Sequence, residues 1–182
     1  FLFIDTNADL TIHTDFGGIA SATECGNVTT NITLTQDINL NVNGTGTMVN
    51  GSYCYFMNTS YTTVDGGGFI ITGNSSFFGV SAANVTNVVI SNMTIVNTSM
   101  GVILDGANDS IVINNTINTS DSTDASAIFV WNTWRANVTQ NTLNASGTNS
   151  NAMLLQNSQN ANVTYNTMNS SGAATLTLST SH

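Results

Sequence analysis

The phrase ANVTQNTL at residues 136–143 returns 25 residues later as ANVTYNTM at residues 161–168. Related phrases precede it, VVISNMTI at 88–95 and IVINNTI at 111–117. Aligned on an asparagine shortly before an apolar residue, the series is Asn92, Asn115, Asn141 and Asn166, with steps of 23, 26 and 25. A second series runs beside it: GVSA from Gly79, GVIL from Gly101, AIFV from Ala127, AMLL from Ala152 and ATLTL from Ala174, with steps of 22, 26, 25 and 22. Two phrases that drift with nearly the same period define one structural unit of 22 to 26 residues. A unit of that size repeated along a chain is the signature of a solenoid.

The residues decide which solenoid. The phrases are short, β-branched and alternating, whereas the segments between them, such as NTSDSTDAS and NASGTNSN, are runs of small polar residues that cannot carry an amphipathic helix. A repeat of this length with two or three short strands fits one coil of a parallel β-helix, each strand pairing with its counterpart about 4.8 Å away in the next coil. Inward positions then stack Val, Ile, Leu, Met and Phe into one long core. Asn suits a fixed place in each coil, because it tolerates left-handed backbone and its amide can hydrogen-bond along a ladder. Asn92, Asn115, Asn141 and Asn166 are expected to stand in register.

The stretches NITLTQDINL (31–40) and TTVDGGGFIITG (62–73), followed by the ISNMTI, INNTI and TQNTL coils, carry a resemblance to right-handed parallel β-helix repeat proteins. That family includes many archaeal and bacterial surface proteins and, more remotely, polysaccharide lyases. The resemblance covers about Cys25 to the C-terminus. It implies an all-β, right-handed parallel β-helix of about six coils over 25–182, preceded by an N-terminal strand, cap or inter-subunit segment over 1–24, with little or no helix. It carries no particular activity, since one architecture hosts unrelated functions.

With 182 residues and 41% hydrophobic content the chain can bury one core. Only 6% of residues are charged, Arg135 is the one basic residue, and the net charge is −9. Nucleic acid is therefore an unsuitable partner, because phosphate binding needs clustered cations. No apolar run is long enough for a membrane span. No basic region precedes an apolar stretch at the start, and FLFI at residues 1–4 is too short for a signal peptide, so a mature or trimmed chain is expected.

Cys25 and Cys54 lie 29 residues apart, and the strand phrases that follow them, from Ile32 and Thr62, lie 30 apart. Cysteines at one place in successive coils would have Cα atoms about 4.8 Å apart, within disulfide reach. A Cys25–Cys54 disulfide is expected in preference to two buried thiols, and it implies an oxidising, extracellular or cell-surface location.

Asn-X-Ser/Thr begins at sixteen positions. With 28 Asn and 48 Ser or Thr among 182 residues, chance would give roughly seven, a twofold enrichment. One explanation is that Asn and Thr both suit β-helix turns and strands; the other is a covalently N-glycosylated surface protein. The expected acceptors are Asn27, Asn31, Asn43, Asn50, Asn58, Asn74, Asn84, Asn97, Asn108, Asn118, Asn137, Asn144, Asn162 and Asn169. Asn92 and Asn114 are left out, Asn92 because an inward or ladder Asn cannot carry a sugar. Both Asn-Gly pairs, Asn43-Gly44 and Asn50-Gly51, sit inside sequons, where a glycan would block deamidation.

Catalytic chemistry finds little to work with. β-Helix lyases need a base and acidic Ca²⁺ ligands, and hydrolases need closely set carboxylates. This chain has His13 and His182 near its ends, no Lys, and mostly lone acids such as Asp37 and Asp65. Asp65, in VDGGG, reads as a turn residue. No catalytic residue, cofactor or metal is assigned, although Asp105, Asp109, Asp121 and Asp124 fall in neighbouring polar connections that are either solvated loops or a Ca²⁺ site. In WNTWR, Trp131 and Trp134 are expected at a subunit contact, or else covering the core edge, in preference to stacking with Arg135 on a sugar. Arg135 is expected to pair with a nearby Asp.

The resulting expectation is a non-enzymatic, extracellular structural glycoprotein that self-assembles into a filament, sheath or surface layer. The alternative is a carbohydrate-active β-helix enzyme of lyase type or a carbohydrate-binding module. The chain closes with the alternating ATLTLSTSH, with no proline or lysine to blunt an open edge. Phe1, Leu2, Phe3 and Ile4 are apolar enough to pair with that edge in the next subunit, head to tail, or else to cap the first coil of their own chain.

Overall fold

The computed structural model describes residues 20–22, 24–40, 53–120, 123–172 and 174–179. Among them every regular element is a strand. The first are β1 (Ala20–Ala22) and β2 (Gly26–Val28), after which the chain makes six three-strand coils. These are β3 (Ile32–Leu34), β4 (Ile38–Asn39), β5 (Tyr53–Met57); β6 (Thr63–Asp65), β7 (Ile70–Thr72), β8 (Phe78–Ala83); and β9 (Val89–Ser91), β10 (Thr94–Thr98), β11 (Met100–Asp105). They continue with β12 (Ile111–Ile113), β13 (Thr116–Thr119), β14 (Ser126–Trp131); β15 (Asn137–Thr139), β16 (Thr142–Ala145), β17 (Asn151–Gln156); and β18 (Asn162–Thr164), β19 (Thr167–Ser170), β20 (Ala174–Ser179). Like strands of successive coils stack into three wholly parallel sheets: a first of seven strands from β1 to β18, a second of six from β4 to β19, and a third of seven from β2 to β20. The all-β solenoid read from the repeats is the observed fold.

Alternation builds the core. In the first sheet Ile32, Val64, Ile90, Val112, Val138 and Val163 stand in one column. In the second sheet Ile38, Ile71, Ile95, Ile117, Leu143 and Met168 do the same. The third sheet supplies two columns, Tyr55–Val80–Val102–Ile128–Met153–Leu176 and Met57–Ala82–Leu104–Val130–Leu155–Leu178. Most of these side chains are buried, each contributing about 1.5–3 kcal/mol of hydrophobic stabilisation. Tyr55 joins them because its hydroxyl donates to the Glu24 carbonyl at 2.9 Å. Burial pushes its phenol well above the ordinary range.

Two register details depart from the repeat alignment. Asn92 is not part of the buried ladder: the residue two before Ile95, equivalent to Asn115 before Ile117, is Met93. Asn92 takes the exposed turn position instead, with φ 55°, and the inward place is filled by a buried thioether side chain. A shared letter does not fix the column, which follows the inward direction of the backbone. Likewise Ala174 pairs with Asn151 rather than continuing the column of Ala152. In β10 the pairing with β13 shifts between Val96 and Thr98. The extra residue is Asn97, at φ 56°, as in a β-bulge.

Cys25, just before β2, and Cys54, in β5, are joined in a disulfide with Cα atoms 4.5 Å apart. The pairing of β2 with β5 puts the two cysteines on adjacent rungs, as their spacing predicts.

Candidate functional site

Asparagine does three different jobs in this solenoid. Inside, Asn115, Asn141 and Asn166 form an amide ladder just past the turn from the first to the second sheet. Each Nδ2 reaches back to a carbonyl of the coil before, Ile90, Val112 and Val138 respectively. Each rung also links to the next: the Asn141 Oδ1 accepts from Asn115 N and Nδ2, and the Asn166 Oδ1 accepts from Asn141 N and Nδ2. Met93 tops the ladder by donating its own N–H to Asn115 Oδ1 at 3.2 Å. Gly66 occupies the next rung beyond Met93, where an added Cβ would collide with Met93. This ladder holds one corner of the coil closed.

At the corners, asparagine supplies left-handed backbone. The turn from the third sheet back to the first repeats a pair of positive-φ residues three apart: Asn84 and Asn87, Gly106 and Asp109, Asn132 and Arg135, Asn157 and Asn160. The turn from the first sheet to the second places Asn92, Asn114, Gln140 and Tyr165 in the same conformation. Asn tolerates this region better than other side chains, which explains much of its abundance. The paired corners escaped the sequence reading, because Asp, Arg, Gln and Tyr occupy equivalent places and no shared letter marks them.

On the outer faces, asparagine stacks in outward-facing columns that coincide with sequons. Asn118, Asn144 and Asn169 are in register in the second sheet, and Asn137 and Asn162 in the first. Residues i and i+2 of a strand share a face, so an outward Asn and Thr around an inward apolar residue spell Asn-X-Thr, as in NVT of β15 and β18. Strand alternation alone therefore produces part of the sequon excess. The Nδ2 of Asn144 donates to Asn118 Oδ1 at 2.7 Å, and that of Asn162 to Asn137 Oδ1 at 3.2 Å. Asn97 is tied more tightly: its Nδ2 donates to the Gly73 carbonyl and its Oδ1 accepts from Ser75 and Ser120. Asn27, Asn58, Asn74, Asn84, Asn114, Asn162 and Asn169 are exposed. Asn31 and Asn108, half-buried, use Oδ1 to accept the N–H groups of Thr63 and Trp134. Asn43 and Asn50 lie outside the described residues.

The acidic residues scatter rather than converge. Asp65 Oδ1 accepts from Gly67 N and from Asn92 Nδ2, which is the turn role read from VDGGG. Asp37 Oδ1 accepts from Ile70 N at 2.8 Å. Asp109 is bound by Arg135 through two hydrogen bonds, Nε to Oδ1 at 2.5 Å and Nη2 to Oδ2 at 2.6 Å. That pairing was expected, and the Arg135 donors hold the Asp109 carboxyl below the ordinary range. Asp124 sits at the turn into the third sheet, away from Asp109, and Asp121 lies outside the described residues, as do His13 and His182. Among the described residues no three His, Cys, Asp or Glu side chains come close enough to hold a metal ion.

Around Arg135 the surface is aromatic. Trp131 ends β14 on the outward face, 39% exposed, with its ring stacked on Phe129 at 6.4 Å between centroids. Trp134 projects from the following turn, 48% exposed. On the neighbouring rungs Trp131 is flanked by Asp105 and Gln156, and Trp134 is paired with Gln159 and caps Asn108. At the far end of the solenoid the last described rung, β18 to β20, leaves Leu176 and Leu178 exposed beside a cavity of about 350 Å³ that Leu155, Ala161 and Val163 also line. Phe1, Leu2, Phe3 and Ile4 lie outside the described residues. No helix among the described residues is long and apolar enough to cross a membrane. No protein-family model, no curated protein and no solved structure matches this chain.

Proposed function

We propose that this chain is a non-enzymatic, extracellular structural glycoprotein, a subunit that assembles head to tail into a cell-surface filament, sheath or surface layer. One observation carries the reading. Strands β18, β19 and β20 form one edge of the three sheets, and Leu176 and Leu178 of β20 are exposed there. Such an edge is a template for further strands, and a second copy offers strands of matching chemistry. The disulfide is compatible with an extracellular location. The apolar segment Phe1, Leu2, Phe3 and Ile4 is the proposed donor.

For glycosylation, the acceptors best suited are the exposed corner asparagines Asn58, Asn74, Asn84 and Asn114, where a sugar would not disturb a ladder. Intact mass before and after deglycosylation, with peptide mapping, tests this. Glycan at corner sequons and none at Asn97 or Asn144 is expected; an unmodified chain from its native source removes the glycoprotein part. For assembly, light scattering and electron microscopy are applied to the full chain, to a variant lacking residues 1–5, and to Leu178→Lys. Both changes are expected to shorten polymers. Unchanged polymers in both, or a strictly monomeric full chain at high concentration, refute the head-to-tail contact.

A further inference from the structure

We propose that the surface around Trp131 and Trp134 binds a neutral polysaccharide. The inference is independent of whether the chain itself is glycosylated or polymeric. The two indoles leave the same coil three residues apart, on either side of the positive-φ Asn132, so both face outward at one corner. The Phe129 ring lies beside Trp131 and nearly parallel to it, 6.4 Å between centroids and 11° between planes, so the aromatic surface extends along the strand. Because the sheets are parallel and in register, the rungs on each side carry hydrogen-bonding groups about 4.8 Å away. Asp105 and Gln156 flank Trp131, and Gln159 follows Trp134. Among the described residues the side chains of Asp105, Gln156 and Gln159 make no hydrogen bond of their own. Aromatic faces bordered by unused carboxylate and amide groups offer stacking for the C–H face of a pyranose and partners for its hydroxyls.

Charge selects among ligands. The net charge is −9, and the one cation, Arg135, is neutralised by Asp109. An acidic polysaccharide or a nucleic acid would meet repulsion with no free cation to offset it. Size argues against a second protein copy: two partly exposed indoles offer about 200 Å², against roughly 800 Å² per partner in a stable interface.

Trp131 and Trp134 are the two tryptophans of the chain, so its indole fluorescence reports this corner alone. Titration of the full chain with cellohexaose, maltohexaose and chitohexaose is expected to give a saturable emission change for at least one, unaltered by 0.5 M NaCl. Trp131→Ala and Trp134→Ala, both surface changes checked for folding by circular dichroism, are each expected to weaken that binding by roughly tenfold, the remaining indole still reporting. The proposal is overturned by no saturable change with any of the three sugars, by affinity unaltered in both variants, or by a salt-sensitive response to polygalacturonate in place of the neutral sugars. A double variant that changes the oligomeric state while no sugar binds would assign the corner to a subunit contact, and that also overturns it.

Discussion

Position within the coil, not residue type, determines what an asparagine does. Asn141 lies in the buried ladder: its Nδ2 serves the carbonyls of Val112 and Thr139 and the Oδ1 of Asn166, while its Oδ1 accepts the Asn115 N–H. Truncation to Ala strands a backbone donor and carbonyls of neighbouring coils in a buried setting, each at a cost of about 1–3 kcal/mol, so Asn141→Ala should lose roughly 2–5 kcal/mol in chemical denaturation. Asn92, one residue away from the equivalent position, should behave differently. Its contribution is a positive φ and one exposed hydrogen bond to Asp65, so Asn92→Gly should stay within about 1 kcal/mol of the parent. Equal losses in the two variants would contradict the register. This distinction was only half legible in the sequence. The letters NN before Thr116 show both jobs side by side, but NM before Thr94 shows one, and a search for matching letters selects the wrong one of the two positions.

At the level of strands and coils, the sequence was most informative where side chains alternate, because an inward β-branched residue every second position leaves a mark that survives insertions. It was least informative at corners, where the requirement falls on backbone conformation and Asn, Asp, Gln, Arg and Tyr all meet it. Close approach between coils leaves a different mark. Gly101 is needed because a Cβ there would collide with Ile117 Cγ2 and the Ala127 carbonyl, where the second and third sheets meet. The first coils face a particular difficulty: β4 is only two residues long, and β3 pairs with β6, and β4 with β7, through two residues each. The Cys25–Cys54 disulfide compensates by closing a loop across a sequence separation of 29, a constraint worth about 3–4 kcal/mol in the chain-entropy account. Reduction should therefore loosen this end first. Hydrogen exchange with and without reductant is expected to show protection lost over β2 and β5 before β14 and β17. Two thiols titrating in the unfolded, unreduced chain would refute the premise, and uniform loss of protection along the solenoid would refute the ordering.

For the whole molecule, the proposed assembly sets exposed apolar side chains against a repulsive surface. The stack of six coils rises about 30 Å, and its neighbours interact almost wholly coil to coil, so adding a further coil of similar chemistry repeats contacts the molecule already makes. In the proposed assembly the exposed Leu176 and Leu178 would supply the apolar drive for that addition. Opposing it is a net charge of −9 spread over a molecule with one cation, which repels every approaching copy. Screening weakens the repulsion and leaves the apolar and main-chain terms intact, since the Debye length falls from about 30 Å at 0.01 M salt to about 8 Å at 0.15 M. Association of the full chain should accordingly rise across that salt range. It should rise again as the pH is lowered toward the isoelectric point near 4.1, where carboxylates lose their charge. Light scattering at fixed protein concentration measures both trends, and Leu178→Lys should blunt both by placing an ammonium where the next rung would pack. Polymers that dissociate on adding salt would show that ion pairs hold the contact, which the composition of this surface cannot supply, and the stacking account would fall.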